Sequence, residues 1–252
     1  MSSASILRTQ IEAALQTRIP AALSFREKHS AETVPIGIPE LDQLTGGIPK
    51  GSLTEICGPT SSGRTTVVLS LMREITGRGE CCALIDTSNA FDPLSAFTQG
   101  VDLRRVLWVR CNSVHSKSTV IGNALRATDW VINTGGFGLI IFDLGDVPEA
   151  IAGRIPPSYW FKFRRSVEGS PAAFLVLGRQ PIAKSCASLV LQLQTLSSEW
   201  PVTPGSPTHP QLFTGAEISA EMLRTRSQFA EISDRKPAAS VARFSVATAW
   251  AG

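Results

Sequence analysis

Gly58-Pro59-Thr60-Ser61-Ser62-Gly63-Arg64-Thr65-Thr66 is the stretch on which the fold turns. It follows the phosphate-loop pattern, in which two glycines bracket four residues and a lysine and a hydroxyl residue follow, at every position but one: arginine stands in place of the lysine. Glycines let backbone N–H groups approach phosphate oxygens closely, and a helix starting just after the loop adds the positive end of its dipole. The pattern nominates Gly58, Ser61, Ser62, Gly63, Arg64, Thr65 and Thr66 as nucleotide-binding residues, with the Thr65 hydroxyl placed for Mg²⁺. Arg64 keeps the charge, but a long planar fork cannot take the point-charge position of a lysine between phosphates. ATP and Mg²⁺ are therefore the expected ligands, bound weakly.

The surroundings support a real loop rather than a chance glycine turn. Leu53–Cys57 reads as a short apolar strand entering it, and residues 65–75 read as a helix leaving it. Further short β-rich runs lie at 83–85, 106–109, 139–142 and 173–177, with helical segments at 119–132 and 159–167 between them. Fully apolar strands alternating with helices predict an α/β fold with a mostly parallel, twisted sheet covered on both faces. Leu139-Ile-Ile-Phe-Asp143 ends such a strand in a carboxylate, the arrangement that sets an acid beside the loop as a second Mg²⁺ ligand.

Outside this core the character changes. Residues 5–19 carry Leu7, Ile11, Ala14 and Leu15 at helical spacing, Pro20 stops the pattern, and a polar stretch follows. Residues 1–33 are thus expected to be a helical arm and linker, available for self-association, and 34–252 the core domain. Near the other end Leu189, Leu191 and Leu193 alternate with polar or smaller residues as in a half-exposed strand. Pro201, Pro204, Pro207 and Pro210 mark 195–215 as a flexible loop, and 217–226 and Val241–Ala247 are expected as antiparallel strands at the sheet edge.

Composition sets the outer bounds. With 252 residues, 43% of them hydrophobic and 18% charged, the chain suits one large globular domain or two small ones. No apolar run approaches the roughly 20 residues that cross a bilayer, and the first residues carry no secretory pattern, so the expected compartment is the cytoplasm, with no membrane partner. The five cysteines include no CxxC pair and favour buried thiols over metal ligands or disulfides. A net charge of +3 is too small to establish a nucleic-acid partner.

The residues now in hand resemble the bacterial RecA recombinase family. Gly37-Ile-Pro-Glu-Leu41-Asp42, Gly46-Gly47-Ile-Pro-Lys-Gly51 and the loop itself fit that family in order. Ala83-Leu-Ile-Asp86, Ala90-Phe-Asp92-Pro93 and Gly100-Val101-Asp102 continue the register. The likeness is strong from about 34 to 145 and loose afterwards, and among relatives it is nearest to the ImuA-like accessory proteins of translesion synthesis. The resemblance implies a RecA-like P-loop core and work in DNA repair and SOS damage tolerance. It also implies contacts with a RecA filament, a translesion polymerase complex or single-stranded DNA.

Carried over residue by residue, the resemblance locates three departures. The glutamate that activates water in the recombinase falls on Ser88, whose hydroxyl is no base at neutral pH without an activating partner. The adenine-stacking ring falls on Ser95, and the lysine on Arg64, while Asp92 matches a residue near the base. The long DNA loop shrinks to residues 178–185. Arg224 and Arg226 align with basic residues that reach a neighbouring subunit, although a solvated pair on one strand face explains them equally well.

Two readings stay open at this stage: an interaction module with a degenerate ATP site, or an active DNA-dependent ATPase or recombinase assembling on single-stranded DNA. In Pro157-Ser-Tyr159-Trp160-Phe161-Lys162-Phe163-Arg164-Arg165, Tyr159, Phe163 and Val167 fit a core stripe on a helix capped by Ser158. That leaves Trp160, Phe161, Lys162, Arg164 and Arg165 as an aromatic and basic surface for a partner or DNA.

Overall fold

Each central strand divides its side chains between two cores. In strand β6, Phe137–Asp143, Leu139 and Ile141 enter one apolar cluster while Ile140 and Phe142 enter the other. A strand buried on both faces needs a helical layer on each side, which is the doubly covered sheet expected from the unbroken apolar runs. The computed structural model describes residues 32–111, 117–200, 213–225 and 240–247, side chains of 117–119 excepted. The arm and linker expected over 1–33 lie outside these residues but for the last two.

Two short strands, β1 (Thr33–Val34) and β2 (Ile48–Pro49), pair antiparallel on either side of helix α1, Pro39–Thr45. The main sheet then takes β3 (Leu53–Cys57), β4 (Cys81–Asp86), β5 (Val106–Arg110), β6 and β7 (Ala173–Gly178). It is completed by β8 (Leu189–Glu199), β9 (Gly215–Thr225) and β10 (Val241–Ala247), in the order β10-β9-β8-β3-β7-β6-β4-β5. The six strands from β8 to β5 pair in parallel, and β9 and β10 add antiparallel at the far edge. This is an α/β fold with a mostly parallel sheet and antiparallel strands at its C-terminal side, as the strand pattern predicts.

Helix α2, Arg64–Gly77, lays Val67, Val68, Leu71, Met72 and Ile75 on one face of the sheet. The other face is covered by α4 (Lys117–Thr134) and α6 (Pro157–Val167), while α3 (Pro93–Thr98) and α5 (Glu149–Ala152) are short connectors. No helix among the described residues is long and apolar enough to cross a membrane.

The structure differs from the sequence expectations on helix α6 and on strand β8. Trp160 is not a surface residue: it is 2% exposed and sits with Phe142, Phe163 and Phe174 in an aromatic cluster with ring centroids 5.7–6.4 Å apart. Tyr159 and Trp160 stand four and three residues before Phe163, so helical spacing alone admits either beside it. The helix is rotated to bury the indole, while Tyr159 stays half-buried at 6.0 Å from Phe163. The cap position is Pro156 rather than Ser158, since Pro157 takes the first helical position, where its missing N–H is no loss. Truncating a ring buried like Trp160 costs about 3–5 kcal/mol, so its natural role is core packing.

The second correction concerns the loop expected over 195–215. Residues 195–199 continue β8, paired with β9 as far as Glu199 opposite Gly215. Proline removes a ladder donor only where it stands, and the first is Pro201, so the ladder runs up to that point. Val190 also departs from a half-exposed alternation, because β8 is an interior strand at this level and both its faces are covered.

Candidate nucleotide site

The parallel register brings the chemistry to one end of the sheet. Cys57 pairs with Gly178, Asp143 with Leu177 and Asp86 with Asp143, so the carboxyl ends of β3, β7, β6 and β4 finish level. Ligands of open α/β sheets bind in the crevice beyond such ends.

At the end of β3 the chain turns through Gly58–Gly63 into helix α2. Ser61 and Gly63 hold φ of 63° and 87°, and a Cβ on Gly58 would lie 2.4 Å from the Leu193 carbonyl oxygen. A left-handed backbone at Gly63 and close approach at Gly58 are the physical reasons for glycine at these two places. The loop is braced from β8, where the Thr195 hydroxyl donates to the Ser61 carbonyl at 2.6 Å. It borders a cavity of about 450 Å³ lined by Ser61–Thr66 together with Thr195, Ser198, Trp200, Phe213, Ala216, Ile218 and Val246.

Two observations test this loop as a phosphate cradle. The Ser62 hydroxyl oxygen is buried and has no hydrogen-bond partner, an orphan that a ligand oxygen would satisfy. Thr65 is exposed in the first turn of a 14-residue helix, where free N–H groups and the dipole favour an anion. The residues therefore fit a polyphosphate. Thr65 and Asp143 would hold a Mg²⁺, which would neutralise phosphate charge.

Arg64 is differently employed. Its Nη1 donates to the Gly178 carbonyl at 3.0 Å, tying the start of α2 to the end of β7. Burial pushes the guanidinium below its ordinary pKa, while the carboxylates of Asp143 and Asp146 work the other way. Asp143 accepts from the Gly145 N–H at 2.8 Å, yet burial pushes its carboxyl up to about 6, with Asp86 and Asp146 adding to the rise. A divalent cation there would compete with a proton at slightly acid pH.

The loop after β4 is built around Asp86. This buried carboxylate accepts from the N–H groups of Ser88, Ala90 and Phe91 at 3.0–3.3 Å and from the Trp108 indole at 3.1 Å. Ser88 is exposed on this loop. Asp92 caps α3, accepting from the N–H groups of Leu94 and Ser95 and from the Ser95 hydroxyl, which holds its carboxyl below the usual range. No aromatic ring stands at position 95.

The segment between β7 and β8 is pinned rather than loose. Glu55, buried within β3, accepts from the N–H groups of Ile182 and Ala183 at 2.7 and 2.8 Å, and burial raises its pKa against the pull of those amides. Arg224 donates to the Lys184 carbonyl of the same segment. Arg226 lies outside the described residues. On α6, Lys162 is ion-paired with Asp129 at 2.8 Å, Phe161 and Arg165 are exposed, and Arg164 is half-buried.

Sequence reading missed Glu55, Thr195, Trp200 and Phe213. A glutamate inside an apolar strand was a visible signal for the first. Trp200 and Phe213 flank a proline-rich stretch, and only the pairing of β8 with β9 places them side by side, 5.5 Å apart between ring centroids.

Comparison with known proteins agrees with this geometry. The RecA of Brucella anthropi is 38% identical over 114 residues, 44% of this chain and 30% of that protein. The RecA of Rickettsia canadensis is 35% identical over 138 residues, 54% and 36% of the two chains, and that of Rhizobium rhizogenes is 37% identical over 114. The chain thus spans about a third of the length of these curated relatives. The family described as the RecA N-terminal domain matches residues 7–153, more than half of the chain. With the level strand ends and the phosphate loop after β3, that match makes this chain a member of the RecA N-terminal domain family.

Proposed function

We propose that this protein is a RecA-fold accessory factor of DNA repair, of the ImuA-like kind that supports translesion synthesis in the SOS response. On this reading it works mainly through protein contacts and binds ATP with Mg²⁺ weakly at the phosphate loop. The observation that carries the reading is Arg64: the side chain that should reach phosphate is bonded to the Gly178 carbonyl. Gly58, Ser61, Ser62, Gly63, Thr65 and Thr66 would hold phosphate and Asp143 the metal. Ser88 supplies no base, and loss of a base lowers rate by about 10²–10⁴.

Two further features support a role other than strand exchange. The β7–β8 segment, anchored by Glu55 and Arg224, has little freedom to wrap a DNA strand. Lys162 is already paired and Trp160 is in the core, which leaves Phe161, Arg165 and Arg164 as a reduced partner surface on α6.

Multiple-turnover ATP hydrolysis, measured with and without single-stranded DNA, tests the proposal. The expected rate is near background in both. DNA-stimulated turnover abolished by Thr65→Ala would instead favour an active ATPase. Joint-molecule formation by the purified protein alone would favour a recombinase. Co-purification with translesion polymerase components after DNA damage is the expected positive result.

A further inference from the structure

The cavity beside the phosphate loop has two chemically unlike kinds of lining. Ser61–Thr66 offer amides and hydroxyls, and Thr195 and Ser198 add two more hydroxyls, whereas Trp200, Phe213, Ala216, Ile218 and Val246 are apolar. Trp200 is 51% exposed, and Phe213 meets it edge-on at an interplanar angle of 68°. A half-exposed indole in the wall of a cavity, with a second ring packed against it, presents a flat π-face to a ligand. A volume of about 450 Å³ lies within the range of small-molecule sites. A ligand that matches both kinds of lining has a polyanionic tail and a flat aromatic head.

We propose that Trp200, backed by Phe213, is the base-stacking platform of the nucleotide site, so that its ligand is a nucleoside polyphosphate and not phosphate alone. The proposal rests on the phosphate-loop reading given above. It supplies the ring missing at Ser95, where the hydroxyl is committed to Asp92 and the side chain to the first turn of α3. The platform is also tied to the cradle. Trp200 directly follows the last residue of β8, and Thr195 of that strand holds the Ser61 carbonyl. A ring that directly follows β8 is therefore linked through that strand to the loop that grips the phosphates.

Isothermal calorimetry of the full chain with Mg²⁺ and either ATP or inorganic tripolyphosphate separates the stacking contribution from the phosphate contribution. Trp200→Ala is expected to weaken ATP by about tenfold or more, the usual scale for losing one aromatic stack. Tripolyphosphate binding should stay unchanged, which also shows the variant folded. Trp200→Phe should retain most of the ATP affinity, and Thr65→Ala should weaken both ligands. If Trp200→Ala changes ATP affinity by less than about twofold while Thr65→Ala weakens it, the platform is wrong and the phosphate site stands. Equal loss of both ligands in Trp200→Ala would make the indole a brace for the loop, and would overturn the proposal. Failure of the unaltered protein to bind either ligand would remove the nucleotide reading and the platform with it.

Discussion

The loops after β3 and β4 leave the same end of the sheet, yet one keeps its polar atoms open and the other has turned them inward. After β3, Ser62 has a buried hydroxyl without a partner and Thr65 faces solvent at a helix start. After β4, four donors converge on the Asp86 carboxylate, Phe91 packs edge-on against Trp108 at 5.3 Å, and Arg110 lies over the same indole. A binding loop must leave donors and acceptors unmatched until the ligand arrives, at some cost to stability. A loop relieved of chemistry can satisfy its groups internally. The first loop has the profile of a site, the second that of a structural turn.

Removing a polar group should therefore act oppositely in the two loops. Asp86→Ala strips four bonds to a buried carboxylate and is expected to destabilise the fold by about 3 kcal/mol in urea denaturation. A loss below about 1 kcal/mol would show that the loop after β4 is held by its rings instead.

Asp143, between the two loops at the end of β6, gives a pH-dependent test. Its carboxyl is pushed from 3.8 up to about 6 by burial, so the folded protein favours the neutral form. That preference is fully present below the unfolded pKa near 4 and is lost as pH rises through about 6. Above that, ionised Asp143 costs stability. Asp143→Asn should then stabilise the nucleotide-free protein by about 1–3 kcal/mol at neutral pH. The gain should shrink on acidification below pH 6, and the variant should lose Mg²⁺-dependent nucleotide affinity. Thermal melts across that range measure it, and a gain independent of pH would contradict the assignment.

The smallest effect is the sharpest. Ser62→Ala removes a hydroxyl that has no partner, so stability should change by less than about 1 kcal/mol, toward a gain. Affinity for tripolyphosphate should nonetheless fall a few-fold. A large loss of stability would mean that the hydroxyl serves the fold and not a ligand.

What was legible in the sequence follows from local physics. Glycine positions, apolar runs and a terminal carboxylate are properties of short segments, so the phosphate loop, the parallel sheet and Asp143 could be read directly. The two antiparallel strands at the C-terminal side were expected from the sequence as well, after the proline-rich stretch. The position of Trp160 was not, because Tyr159 and Trp160 share the spacing that brings a residue beside Phe163. Only the surface against which α6 packs decides which ring is buried.

The sequence by itself determined the α/β class, the site of the phosphate loop and the absence of a glutamate at Ser88, since each depends on residues adjacent in the chain. Tertiary structure alone decided that Arg64 turns to the Gly178 carbonyl 114 residues away, and that Glu55 pins the segment at Ile182. It alone set Trp200 and Phe213 in the wall of the cavity. These are contacts across strands whose order in the sheet is not their order in the chain, and no local pattern encodes which strand ends will meet.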